Sequence, residues 1–388
     1  DEAQQSFNNQ RAYYEKYDID IHMPDSLSNL GELNLRIGKF DQSFDLFEKS
    51  YTIAKDLGAR YPQCAALGNM GVLHLIRGKF EDAVAIFKEV LVLDSDIGDK
   101  KRISQSYGNI GLSYKELREY DLALNHYSKQ LDICREIGYN LGISKSNNNF
   151  ATVYNKIGEF DKALDCLNIA IKINKDMGNQ GELANSHGSI AMNNIEMGDF
   201  DVALENLNEA YTIFHKINDN RMCAMVNSFI AAMYLDKKEY SKVLEPVNKS
   251  IDVFEELKDI PSLTKNLLYK AKALVTLNEL DESLGITKMA AKYAEEIGDL
   301  KSIFQSNLLS IEIKHSLGSI NQKSALKKID ALIVDCKDDD DVADIHFLKY
   351  CIDNSGENRE YTLKLYQDLY DNIPRYKYMD KINFLSKE

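Results

Sequence analysis

The chain of 388 residues carries a net charge of −14, is 44% apolar, and has 5 prolines and no tryptophan. That apolar share can bury a continuous core, and so few prolines favour long helices over a loop-rich fold. The acidic balance argues against nucleic-acid backbones and anionic membranes as main partners, and no apolar run is long enough for a membrane span.

The chain opens on Asp1, Ala3 and Phe7, which align with Asp41, Ser43 and Phe47 one period of 40 residues later. Residues 1–20 therefore read either as the second helix of a truncated repeat, with further chain upstream, or as a degenerate capping helix. The absence of an initial Met also leaves a removed signal open.

From 21 to 318 the sequence repeats every 40 residues. Gly38, Gly78, Gly158, Gly198 and Gly318 share one register, with Arg118, Lys238 and Asn278 in the intervening slots. An apolar residue follows two positions on (Phe40, Phe80, Tyr120, Phe160, Phe200, Tyr240, Leu280). A small or β-branched residue follows three further on (Ser43, Ala83, Ala123, Ala163, Ala203, Val243, Ser283). A second row of breaks runs Gly58, Gly98, Gly138, Gly178, Asn218, Lys258 and Gly298. Between the breaks lie amphipathic stretches with apolar spacing of three and four, so each period is a pair of helices. Gly or Asn after the last apolar residue fits a left-handed C-cap, and the acid that follows (Asp41, Glu81, Asp121, Asp161) suits a helix N-terminus. One pair cannot bury both its faces, so seven to eight units must stack.

After Gly318 the pattern frays. The helix containing Leu326, Ile329 and Leu332 is out of register, an acidic run Asp338–Asp341 follows, and two further helices are expected, to about Asp353 and over 360–372, where Pro374 ends the last. Residues 319–388 thus read as a divergent cap. The acidic run lacks the spacing of a calcium loop and reads as a solvated loop or a helix N-terminus. None of the six cysteines forms a C-x-x-C pair, which points to free thiols in a reducing compartment.

The residues Leu67-Gly68-Asn69-Met70-Gly71 and Tyr107-Gly108-Asn109-Ile110-Gly111, each followed by the Phe/Tyr-x-x-Ala pattern, resemble the tetratricopeptide repeat of the 40-residue class. Similar repeats occur in Pins/LGN polarity adaptors, kinesin light chains and bacterial regulatory proteins. The resemblance implies an all-α, right-handed superhelical solenoid whose first helices line a concave groove that holds a partner's peptide. It places Asn29, Asn69, Asn109 and Asn149 on that groove, followed by Ser189, Phe229 and Tyr269. An Asn amide both donates and accepts, so such a ladder can pair with a peptide backbone or bond to the neighbouring repeat. Arg36, Lys115, Lys145 and Lys156 are expected to make the start of the groove basic, and Glu196 and Asp236 its far end acidic. Tyr114, Tyr154 and Tyr234 are candidates for its edge.

No phosphate loop, dinucleotide fingerprint, zinc motif or nucleophile elbow is present, and the seven histidines are scattered. No catalytic, cofactor or metal site is expected. The reading is a cytoplasmic interaction scaffold or sensor module, part of a larger signalling protein, that binds a protein or peptide segment of acidic character. It involves neither nucleic acid nor membrane, and a homo-oligomer or an output domain outside the chain stays open. Two alternatives stand beside it: a regulator with its own catalytic or peptide-controlled activity of the Rap type, and a structural spacer or oligomerisation module.

Overall fold

A computed structural model describes Gln5 and residues 22–333, 336 and 338–387. The expected helix over 1–20 lies outside the described residues. Within them the chain is all-α, with nineteen helices. The first unit of the chain spans 1–154 and the second 155–388. The helices are α1 (Met23–Arg36), α2 (Phe40–Asp56), α3 (Arg60–Ile76), α4 (Phe80–Ile97), α5 (Lys100–Glu116), α6 (Tyr120–Glu136), α7 (Asn140–Lys156), α8 (Phe160–Asp176), α9 (Gln180–Met197) and α10 (Phe200–Lys216). They continue with α11 (Asn220–Asp236), α12 (Tyr240–Glu256), α13 (Ile260–Thr276), α14 (Leu280–Ile297), α15 (Leu300–Ser316), α16 (Gln322–Ile333), α17 (Asp339–Asp353), α18 (Gly356–Asn372) and α19 (Tyr376–Lys387).

From α2 to α15 a new helix begins every 20 residues. The backbone enters the left-handed region at each break. At the breaks without glycine, Arg118, Asn218, Lys238, Lys258 and Asn278 still adopt φ between 55° and 64°. The turn is closed by two backbone bonds that repeat along the chain. At the first break Gly38 N–H donates to Leu35 O at 3.1 Å and Lys39 N–H to Asn34 O at 2.8 Å, the pattern that satisfies the orphan carbonyls of a helix end. First helices start on a side-chain cap where the sequence supplies one: Asp99, Asn179, Asp219, Asp259 and Asp299 each accept the amide three residues on.

Each helix pair closes on a small residue. In the first unit, Gly31, Gly71 and Gly111 lie against the rings of Phe47, Phe87 and Tyr127, so closely that an added Cβ would sit 2.6–2.7 Å from ring carbon. The positions three after the apolar plug (Ser43, Ala83, Ala123, Ala163, Ala203, Val243, Ser283) are all fully buried. Where that residue is serine its hydroxyl donates across the pair, Ser43 to Gly31 O at 2.7 Å and Ser283 to Ala271 O at 2.8 Å. The six cysteines are free thiols, three of them buried.

Beyond Gly318 the spacing is lost, and the acidic run forms a helix N-terminus. Asp338 caps α17 by accepting Asp340 N–H at 3.1 Å, with Asp339–Asp341 in the first turn. The helices expected from the sequence end at Pro374. The structure adds α19 beyond it, because two residues after the proline the chain is again free to turn helical.

Candidate interaction surface

The Asn ladder lies at one register position of α1, α3, α5 and α7 in the first unit. Asn29 is exposed and Asn69, Asn109 and Asn149 are half-buried. Asn69 Nδ2 donates to Glu32 Oε1 on the preceding first helix, at 3.3 Å. The side chains of Asn109 and Asn149 make no hydrogen bond among the described residues. Lys145 and Lys156 are exposed, Lys156 in the second unit. Lys115 is half-buried and pairs with its neighbour Glu116 at 2.8 Å. The Arg36 side chain lies outside the described residues.

Tyr114 does not edge the ladder face. Its hydroxyl accepts from Lys88 Nζ at 2.9 Å and its ring stacks on His126 at 5.4 Å, so it turns to the second helices α4 and α6. An aromatic four residues ahead of a helix break packs better between two second helices than in water. Burial and the nearby Lys129 and Lys88 hold the His126 imidazole below its ordinary pKa.

In the second unit the C-terminal segment returns onto the repeats. Ile373 and Pro374 pack over the turn at Gly158, where a Cβ would lie 3.1 Å from Ile373 Cγ2. Tyr376 covers the equivalent turn one repeat on, its ring 4.9 Å from that of Phe200 and edge-on to it, directly over Gly198. Asp380 accepts from Lys238 Nζ at 2.7 Å at the equivalent turn of the repeat after that. One segment thus crosses the same turn position of three successive repeats. The acidic residues expected on the far first helices lie where it lands. Arg375 pairs with Glu196 at 3.5 Å, both largely buried, and Lys377, held by Asp340 at 2.8 Å, lies within the field of Asp236.

The sequence model of the tetratricopeptide repeat matches residues 22–94 and 102–176. Those residues carry tetratricopeptide repeats. Solved structures share the fold at low identity. The apo form of the quorum sensor NprR from B. thuringiensis aligns with a TM-score of 0.59 at 14% identity, over 88% of this chain and 98% of that one. A signal transduction ATPase with numerous domains and a tetratricopeptide repeat sensor, from Pyrococcus horikoshii, gives 0.58 at 14%, over 90% of this chain and 53% of the other. The chain therefore spans about half of that protein. A Rap protein complexed with the competence and sporulation factor gives 0.52 at 15%, over 82% and 96%. None of the curated proteins matches the sequence. Among the described residues no helix is long and apolar enough to cross a membrane.

The return of the C-terminal segment onto its own helix pairs is what the sequence reading missed. A signal for it was present. Arg375-Tyr376-Lys377-Tyr378 is a basic, aromatic run in an acidic chain, and Glu196 and Asp236 are acids at a position that is Arg or Lys in two of the earlier repeats.

Proposed function

We propose that the chain is a sensor or scaffold module whose first unit binds an extended, acidic segment of a partner protein along the Asn29–Asn149 ladder. The observation that carries this is the pair Asn109 and Asn149, two accessible amides one repeat apart with no hydrogen-bond partner among the described residues. Amides at that spacing offer a donor and an acceptor to a peptide backbone whatever its side chains, and the exposed Lys145 beside them favours carboxylates. The similar folds include a quorum sensor and a Rap protein complexed with a factor, roles of the same class.

The test is selection from a random dodecapeptide library against the chain, with affinities of the selected peptides measured by anisotropy. The expected winners carry Asp and Glu. Asn109→Ala with Asn149→Ala is expected to weaken them about 10–30-fold, two hydrogen bonds at roughly 1 kcal/mol each. Peptides that bind the double variant as tightly as the parent, or a basic consensus, overturn the reading.

A further inference from the structure

The second unit holds a cleft of about 450 Å³ between first helices α11, α13 and α15 and the returning helices α17 and α19. Its volume falls in the range of small-molecule sites. Six charged side chains line it: Asp236, Glu312, Asp341 and Asp344 against Lys272 and Lys381. Carboxylates outnumber ammonium groups by two. Asp236, Glu312 and Asp341 make no ion pair or hydrogen bond among the described residues, while Asp344 already accepts the Tyr366 hydroxyl at 2.7 Å.

We propose that this cleft is a binding site for a small organic cation, a primary amine on an apolar or aromatic body. The cleft already holds one cation in the manner proposed. Lys381 Nζ lies 3.4 Å from the centre of the Phe347 ring, an attraction between an ammonium and an aromatic face, and it feels the Asp344 carboxylate. Tyr269 and Phe304 offer further aromatic surface on the same lining.

Three of the lining carboxyls are held above their ordinary range, chiefly because the protein around them disfavours the charged form. Asp236 still meets the water of the cleft, but protein surrounds it elsewhere. Its carboxyl is pushed up to about 6 by that enclosure and by Glu196, against the pull of Lys377 and Lys272. Enclosure also raises Glu312, although Lys381 and Lys272 oppose the rise, and raises Asp341. An ammonium entering beside Asp236 or Glu312 would favour its ionised form. A metal ion is a poor alternative, since no group of three or more His, Cys, Asp or Glu with ligand geometry exists among the described residues. A peptide chain is a poor one too, because α19 closes one side. The site is independent of the Asn ladder, which lies in the other unit.

The experiment is isothermal titration of the full chain at pH 7.5 with phenethylamine and cyclohexylmethylamine, each beside its isosteric alcohol. Saturable binding of an amine and none of its alcohol is expected. Asp236→Asn with Glu312→Gln is expected to weaken the amine at least tenfold, while Asn109→Ala leaves it unchanged. If that double variant fails to fold, the amine–alcohol comparison on the parent chain still decides. No saturable heat from either amine, or equal binding of amine and alcohol, overturns the proposal. So does a folded double variant that binds as well as the parent.

Discussion

The two units keep one register and fill it differently. In the first, the close approach between paired helices is a glycine under a ring: Gly31 and Phe47, Gly71 and Phe87, Gly111 and Tyr127. In the second, the same positions hold Ala191 with Leu207, Ala231 with Val247, and Ala271 with Thr287, all at most 1% exposed. Volume moves from one helix to the other while the pair stays closed. A polar rung shows the same exchange. In the first unit a buried carboxylate, Asp94, takes Arg102 Nε and the Ser106 hydroxyl, each at 2.7 Å. In the second, one repeat pair later, the neutral Asn174 bonds Ser186 at 3.2 Å. The lesson is that the repeat fixes positions and their burial, and leaves residue type free to vary between units.

The largest effect is expected at the rings. Phe87→Ala should cost about 3–5 kcal/mol in chemical denaturation, from lost burial plus the cavity left behind. Gly71→Ala should cost about 1–3 kcal/mol, because its Cβ meets the Phe87 ring. Joining Gly71→Ala to Phe87→Leu copies the second unit's solution, and the pair should be more stable than the sum of its singles. Strict additivity would show that the two residues do not share one volume.

Next in size is the contrast between open and covered turns. At Gly78 nothing lies within 4 Å of an added Cβ, whereas at Gly198 the Tyr376 ring occupies that space. Both are at positive φ, 70° and 87°. Gly78→Ala should therefore cost only the backbone term, about 1–2 kcal/mol, and Gly198→Ala about 2–4 kcal/mol with the clash added. In a Tyr376→Ala background the two costs should converge. If they stay apart, Tyr376 does not dock over Gly198 in solution. Slightly smaller is Asp94→Asn, which strands the Arg102 guanidinium and should cost about 2–3 kcal/mol, recovered in part by Arg102→Ala.

How much of this was legible in the sequence follows from the range of the interactions. The helices, their breaks and the core positions repeat, so Gly38, Ala123 or Phe160 could be placed from spacing alone. Spacing put Asn29, Asn69, Asn109 and Asn149 on first helices, and they lie on α1, α3, α5 and α7. Their contact with a partner is a separate matter, because it depends on another molecule. Tyr114 was misjudged because period places a residue on a helix but does not say which neighbouring helix its ring prefers. The return of α19 occurs once and joins residues as far apart as Lys238 and Asp380, so no periodicity could announce it. The signal lay in charge, a basic run opposite Glu196 and Asp236, and in Gly198, whose openness looked like a turn requirement and also makes room for Tyr376.

The smallest expected effect separates residues 60–136 of the first unit from residues 220–316 of the second by the sign of their response to acid. In the first, His74 and His126 are held below the ordinary imidazole value, both chiefly by burial, with Lys79 and Arg77 adding to the effect at His74. A depressed imidazole pKa means that the unfolded chain takes up the proton first, so stability falls as pH drops below about 6.5. In the second, Asp236 at about 6 and the raised Glu312 take up protons in the folded state before the unfolded chain does. Their contribution therefore rises as pH drops from about 6 to 4, the unfolded carboxylate range. Amide-exchange protection factors, corrected for the intrinsic rate, should fall across residues 60–136 and hold or rise across 220–316 over that interval. His126→Phe should abolish part of the fall in the first region alone, and Asp236→Asn the gain in the second. A uniform fall in both regions would mean that the cleft carboxylates are already paired in solution, and would count against the charge imbalance from which a cationic ligand was inferred.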